Sequence, residues 1–473
     1  MCDLSHDDQE NIDGLHSIEN YPADNCPYCR DPSYAISIAG DQFSTEPARI
    51  EEIEIALSDF SEAHRNVLSK LSSTGLFKVF RSINERNYEI YLDVQAMFAP
   101  EPGNTHAEAF VSDLFTKWRR LVKRGMPIHL QRIIYTNYPG TKAMAEDALA
   151  LLQQKLDQQS ITLIGSRELH NRGTNQETAS LVVSACLDES YELMGISRDL
   201  RMVQPGGNTT YVAPLFRASS KRERARIESN LIFGEAGAKT FNLYSVVQIE
   251  LPTCEHFHSW KLEFDRLREL VHWADMEDVT IPPEIEQRIA LLRSAPATGL
   301  GERIFWPSPS EEELKLGSDF TMIPTDDGNR RLSQADVFVI ASSLFHQYRQ
   351  GANGKPRLMY KPYERTVISP ESFQRFSDAI LQAAFLRAAR GGDIGYANCE
   401  EQVSERMFSF LSDEVEAAKC GRGPALMEYV IAIMIGRLSL YPSHRRDFLS
   451  AVESEPLIPE WIRLCARFAK SIK

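Results

Sequence analysis

Residues 180 to 201 read Ser180-Leu181-Val182-Val183-Ser184-Ala185-Cys186-Leu187-Asp188-Glu189-Ser190-Tyr191-Glu192-Leu193-Met194-Gly195-Ile196-Ser197-Arg198-Asp199-Leu200-Arg201, and this stretch decides the fold class. An apolar, β-branched run gives way to a short polar loop and then to apolar residues at three- and four-residue spacing. That is a buried strand, a loop and a helix. In α/β folds phosphate binds at such a junction, because loop amides and the positive end of the helix macrodipole both face the ligand. Here the junction carries Asp188, Glu189 and Glu192, three carboxylates that would repel a phosphate. Acidic residues at a helix N-terminus are also favoured by the dipole alone, so capping accounts for at least one of them.

Outward from this stretch the same alternation continues. A helix (residues 107 to 124) leads to a strand (129 to 135), a helix (142 to 156) and a strand (161 to 164). After the strand at 181 to 183 and the helix at 192 to 201 come a strand (211 to 216), a helix (221 to 231) and a strand (244 to 251). Strands alternating with helices of ten to fifteen residues predict a largely parallel, Rossmann-like sheet with helices on both faces. Gly206-Gly207 between helix and strand reads as a helix C-cap turn.

The flanking regions differ in character. Residues 1–46 are polar and acidic without sustained periodicity, a loosely ordered segment. Residues 47–103 form a small α+β region: Ile50, Ile53, Leu57 and Phe60, then Val67, Leu68 and Leu71, predict two helices, and 77–81 and 88–92 a hairpin around Asn84–Asn87. Two helices and a hairpin fit a winged helix, which would make the chain a DNA-binding adaptor, or any small α+β unit. The α/β domain spans 104–251, and 252–331 is an irregular, Pro- and Gly-rich connection with an amphipathic helix near 260–276. Residues 332–473 are read as helical, at 335–348, 372–389, 401–418, 425–440 and 443–452, the last four as a bundle. The 425–440 segment is apolar nearly all round and belongs at the bundle centre.

Composition sets outer limits. The chain has 473 residues, 43% of them hydrophobic, and no apolar run of the ~18 residues a membrane span needs. Eight cysteines with one close pair do not resemble a secreted disulfide framework, so a cytoplasmic protein with reduced thiols is expected. Residues 1–63 hold fifteen carboxylates against Arg30 and Arg49, a net of −13 out of −14 overall. The remaining chain is near neutral, so the overall acidity neither supports nor excludes nucleic acid as a partner.

The 180–201 stretch resembles the substrate-binding signature of type I phosphoribosyltransferases. Val182 and Val183 match the strand, and Leu193 matches the start of the helix that runs through Arg201. In that family an acidic pair contacts the ribose hydroxyls and a small, hydroxylated loop wraps the 5′-phosphate of phosphoribosyl pyrophosphate. Here Ser184 and Ala185 replace the pair, and Asp188, Glu189, Ser190, Tyr191 and Glu192 replace the loop. The resemblance covers about residues 105 to 251. The chain is also similar to degenerate phosphoribosyltransferase-like proteins of prokaryotic anti-phage systems, in which such a domain precedes a helical C-terminal region. The resemblance implies a non-catalytic accessory or sensor subunit beside an effector such as an ATPase or nuclease.

Other constellations carry rival readings. Cys26-Pro27-Tyr28-Cys29 is half of a zinc ribbon, with Cys2, His6 and His16 as nearby candidates for the other ligands; the alternative is a free thiol pair. Cys254, His256 and His258 fall on one side if 254–258 is a strand, a metal-site reading against ordinary packing. Lys117, Arg120 and Arg124 on one helix and Arg222 and Arg226 on another would line a phosphate or nucleic-acid groove if both helices flank one sheet edge, and are otherwise solvated faces. An enzyme would use Asp188, Glu189 and Glu192 in acid–base chemistry, as a nucleotide-processing transferase or glycosidase or as a metal-dependent nuclease. No Gly-x-Ser-x-Gly elbow, Walker loop or full dinucleotide fingerprint is present.

Overall fold

The computed structural model describes residues 37–39, 42–44, 49–84, 86–97, 103–153, 161–171, 178–188, 191–234, 237, 240–252, 258–317, 322–323, 332–351, 357–359, 364–390, 392–420 and 422–472. In chain order its main elements begin with β1 (Arg49–Ile53), α1 (Glu62–Leu71) and the hairpin β2 (Phe77–Ile83) and β3 (Arg86–Leu92). The α/β unit follows as α2 (Thr105–Gly125), β4 (Leu130–Tyr135), α3 (Thr141–Gln153), β5 (Thr162–Gly165), β6 (Ala179–Val183) and β7 (Cys186–Leu187). It continues with α4 (Tyr191–Val203), β8 (Thr209–Ala218), α5 (Lys221–Leu231) and β9 (Asn242–Glu250). After it come α6 (Ser259–Met276), α7 (Pro283–Thr298), α8 (Gln334–Gln350), β10 (Glu364–Ile368) and α9 (Ala379–Ala388). The chain closes with α10 (Glu401–Lys419), α11 (Leu426–Met434), α12 (Pro442–Ser454) and α13 (Glu460–Ser471).

The central sheet runs β9-β8-β6-β4-β5, with the two-residue β7 beside β8 as a sixth strand, and every pairing in it is parallel. Numbered by appearance, the five long strands lie 2-1-3-4-5, a doubly wound order whose switch point falls between β4 and β6. The period-two alternation of each strand feeds two cores. Ile133, Leu181, Val183, Val212 and Leu215 join Trp118 and Val122 of α2 and Met144 and Ala148 of α3 on one face. Ile134, Val182, Tyr211, Ala213 and Phe216 meet Leu193, Ile196 and Leu200 of α4 and Ile227 and Leu231 of α5 on the other. Burial on both faces is why these strands read as continuous apolar runs. At the α4–β8 turn Gly206 sits at φ +77°, and a Cβ on Gly207 would lie 2.0 Å from the Thr178 carbonyl, so both glycines are required.

Several expectations for the flanks are corrected. Residues 49–53 are a strand, not a helix: β1 pairs in parallel with β10, Arg49 opposite Glu364 and Ile53 opposite Ile368. Among the described residues one α-helix, α1, therefore precedes the hairpin, and the two helices expected at 50–71 for a winged helix are not both present. The strand β10 itself lies in a region read as helical. The helix expected at 372–389 is divided into Glu371–Arg375 and α9, whose first turn is capped by Asp378 accepting from Ile380 N at 3.2 Å. The helix at 425–440 stops at Met434, with Gly436 at φ +72°, and all nine residues of α11 are buried, as expected of a bundle centre. The helix α7 arises in a stretch not read as helical and starts with Pro283 at its first position, and α13 lies in the region read as helical but beyond the segments assigned within it.

One cluster of buried apolar side chains runs from Ile55 through the hairpin and the α2/α3 face to Ala469. Within the helical part, four charged side chains are buried together: Glu263 of α6, Arg288 of α7, Arg387 of α9 and Glu428 of α11. Arg288 holds Glu263 through two bonds of 2.8 and 3.0 Å, and Arg387 reaches Glu263 at 2.7 Å and Glu428 at 2.6 Å. Trp306 closes the set, its indole donating to Glu263 at 2.6 Å and its amide to Glu428 at 2.8 Å. Among the described residues no helix is long and apolar enough to cross a membrane.

Candidate functional site

The switch point opens at the carboxyl ends of β4, β5 and β6, the place where α/β sheets bind ligands. The chain fills it with its own polar side chains. After β4 the turn Thr136-Asn137-Tyr138-Pro139-Gly140-Thr141 leads into α3. Thr136 Oγ1 lies 3.0 Å from Ser184 Oγ, and Thr141 Oγ1 accepts from the Ala185 amide at 3.0 Å. Ser184 and Ala185 are buried, and Ser184 Oγ also donates to the Cys186 carbonyl at 2.8 Å. These inward bonds turn the chain back into the sheet, so β7 pairs with β8 where a loop was expected.

Glu192, in the first turn of α4, reaches away from its own helix. Its Oε1 accepts from the Asn137 amide at 2.8 Å, from Asn137 Nδ2 at 2.8 Å and from Ser166 Oγ at 2.6 Å. The Asn137 side chain also donates to Ser166 Oγ at 3.1 Å. A carboxylate thus occupies the helix N-terminus at the switch point, held by donors from the ends of β4 and β5. The macrodipole and the donors that would face a bound anion face this internal one.

Asp188 is held by a different set. It is 4% exposed and lies against the hairpin: Tyr88 Oη donates to Oδ2 at 2.9 Å, and Arg86 Nη1 stands 3.6 Å from the same oxygen. Arg86 and Arg217 both lie over the Tyr88 ring, 5.2 and 5.6 Å from its centroid. Burial, with Asp188 beside it, pushes the Tyr88 phenol far above its ordinary range, so it stays a donor at all physiological pH. Burial and Asp188 likewise push the Cys186 thiol up, which removes it as a thiolate nucleophile. Tyr91 stacks on Tyr138 at 5.4 Å, and Tyr138 Oη donates to the Leu92 carbonyl at 2.8 Å, fastening the hairpin to the loop after β4. The hairpin is fixed from the other side by paired backbone bonds between Val79 and Leu300 of 2.8 and 2.7 Å.

Glu189 lies outside the described residues, as do Cys26, Cys29, Cys2, His6, His16, Cys254 and His256. His258 is described, buried, and caps α6, its Nδ1 accepting from Lys261 N at 3.3 Å while the ring meets Phe80 edge-on at 4.6 Å. Among the described residues no group of three His, Cys, Asp or Glu side chains is placed to hold a metal ion. The basic helices are not brought together: α2 packs on the face of β8 and β9 that contains Trp118 and Val122, and α5 on the opposite face with Ile227 and Leu231. Lys117, Arg120 and Arg124 therefore lie across the sheet from Arg222 and Arg226 and share no groove. Lys117 pairs with Asp113 at 2.6 Å, and Arg226 with Glu223.

The residues that define this site and were not singled out in the sequence are Tyr88, Arg86, Asn137, Ser166 and Arg217. One signal for Asn137 was legible: a Thr-Asn-Tyr-Pro-Gly-Thr turn directly after a buried strand is where α/β folds carry site residues. Tyr88 and Arg86 had none, because the hairpin meets Asp188 only in the folded chain. No protein-family model, curated protein or solved structure matches the chain.

Proposed function

We propose that the chain is a non-catalytic accessory or sensor subunit built on a degenerate phosphoribosyltransferase-like domain, acting beside an effector such as an ATPase or nuclease in a prokaryotic antiviral complex. The observation that carries the non-catalytic reading is Glu192: three donors from the ends of β4 and β5 converge on its carboxylate at the position where such folds hold phosphate. Binding a phosphate there requires displacing a hydrogen-bonded carboxylate or accepting repulsion from it. The burial of Asp188 beneath Tyr88 supports the same reading, since acid–base chemistry needs a carboxylate that substrate can reach. The inward-bonded Ser184 and Ala185 stand where the resembling family has its ribose-binding acids. The defence setting and the effector rest on the resemblance of the 180–201 stretch and of the domain order.

The test is native mass spectrometry of the chain co-expressed with the proteins encoded beside it, paired with a phosphorus NMR assay of phosphoribosyl pyrophosphate consumption. The reading expects a stable complex with a larger partner and no consumption. Turnover that disappears in Glu192→Gln or Asp188→Asn would overturn it in favour of an enzyme.

A further inference from the structure

The C-terminal bundle contains a cavity of about 610 Å³ that the α/β crevice does not touch. It lies where the C-terminal end of α11, the start of α12 and the end of α13 meet. Its walls are aliphatic, with Ile433, Met434, Leu438, Leu440 and Ile472 among them and, among the described residues, no aromatic ring. Four cations line it, Arg266, Arg445, Arg446 and Lys470, and among the described residues no carboxylate does. Carboxylates outside the cavity pair with two of these, Glu269 with Arg266 at 2.5 Å and Glu453 with Lys470 at 2.7 Å. Arg445 and Arg446 have no such compensation among the described residues. Arg445 is half-buried and donates from one nitrogen to the Ala469 and Ile472 carbonyls, at 2.5 and 3.0 Å, and burial alone lowers its pKa. Arg446 is exposed at the rim.

The contrast with the fully buried arginines is instructive. Arg288 and Arg387 are each held by carboxylates at 2.6 to 3.0 Å, whereas among the described residues the half-buried Arg445 guanidinium meets only carbonyl oxygens. Desolvating a guanidinium without an anion is unfavourable, and guanidinium groups match carboxylate and phosphate oxygens in geometry. A second groove between α6 and α7 offers a comparison within the molecule: there a carboxylate, Asp275, shares the lining with Arg268, His272 and Arg293.

We propose that this cavity binds an amphipathic anion, a phosphate or carboxylate head on an aliphatic chain, with Arg445 and Arg446 on the head and Ile433, Leu438 and Leu440 along the chain. The volume is that of a small-molecule site, and aliphatic walls without a ring to stack on favour an alkyl chain over a nucleobase. The site is independent of whether the α/β crevice is catalytic.

The experiment is isothermal titration of the full chain with decyl phosphate below its micelle concentration, with decanol, decyltrimethylammonium and inorganic phosphate as controls. Saturable one-to-one binding is expected, about tenfold or more tighter than decanol or inorganic phosphate, with no binding of the cationic amphiphile. Arg446→Glu, at an exposed position where little effect on stability is expected, should weaken binding by about tenfold, and Arg445→Gln should act in the same direction. Co-sedimentation with phosphatidylglycerol vesicles separates the sources. Vesicle binding with the same Arg446 dependence assigns the head to a lipid, and binding of the free amphiphile alone assigns it to a soluble ligand. Absence of saturable binding, equal affinity for decanol, or affinities unchanged in both arginine variants would overturn the proposal.

Discussion

Two polar clusters in this chain, one fully buried and one partly so, are compensated in opposite ways. In the helical part Glu263, Arg288, Arg387 and Glu428 form a closed set of two acids and two guanidinium groups drawn from four helices. At the switch point Glu192 is satisfied by neutral donors from Asn137 and Ser166, and Asp188 by a phenol with Arg86 further off at 3.6 Å. The first cluster joins helices and leaves no open coordination for a ligand. The second takes over donors that an α/β fold ordinarily offers to an anion. The difference teaches that burial of charge alone does not mark a site; what matters is whether the compensating groups are those a ligand would use.

The comparison breaks most sharply at Arg387. Removing one partner of a buried ion network leaves uncompensated charge and costs about 3–5 kcal/mol. Arg387→Ala is therefore expected to lower the urea midpoint more than any single change at the switch point. A variant whose midpoint moves by less than Glu192→Ala would show that the network contributes less than its geometry indicates.

The next effect comes from acid, which acts outside both clusters, at buried histidines. Burial holds His346 and His64 at a pKa of about 4, and Arg217, Arg349 and Arg390 near His346 and Lys221 near His64 add to the lowering. A folded pKa below 6.5 means stability that is present above pH 6.5 and lost as pH falls toward 4, at most about 2–3 kcal/mol per histidine. Asp336, raised to about 6, and Glu414, raised to about 7, act with the opposite sign, their contribution being lost as pH rises through those values. Arg288 and Arg387 overcome burial to hold the Glu263 carboxyl below its ordinary range, so the network stays ionised through this window. Urea midpoints measured from pH 7 to 4 are expected to fall, and the fall to be shallower in His346→Gln. An unchanged slope would remove His346 as a contributor.

At the switch point the expected effects are smaller. Glu192→Ala leaves the Asn137 and Ser166 donors without their acceptor, at about 1–3 kcal/mol, with Glu192→Gln milder. Tyr88→Phe removes one hydrogen bond to Asp188, at about 1 kcal/mol or somewhat more because that acceptor is charged. If Glu192→Ala were neutral in stability and gained affinity for inorganic phosphate, the carboxylate would be acting as a replaceable plug.

The α/β unit was legible because its strands are buried on both faces and its helices on one, so β4, β6, β8, α4 and α5 carry clean apolar runs or clean helical spacing. The residues of β1 were misread since Ile50 and Ile53 stand three apart like a helix face, and their strand partner, β10, lies far along the chain. The gap between α9 and the short helix before it, and the end of α11, depended on a cap at Asp378 and a left-handed turn at Gly436 that apolar spacing does not report. Of the candidate site, Asp188 and Glu192 were recognisable as carboxylates at a strand-to-helix junction, but their partners were not.

By itself the sequence determined a parallel α/β unit, the burial of 426–434 and the presence of acid where a phosphate loop would sit, because local periodicity and charge sign are properties of neighbouring residues. Only the tertiary structure decided that Asn137 and Ser166 spend their donors on Glu192, that Tyr88 covers Asp188, and that α2 and α5 lie on opposite faces of the sheet. Those outcomes follow from strand order and from hairpin docking, which bring together groups far apart in the chain and leave no mark on the spacing of residues near any one of them.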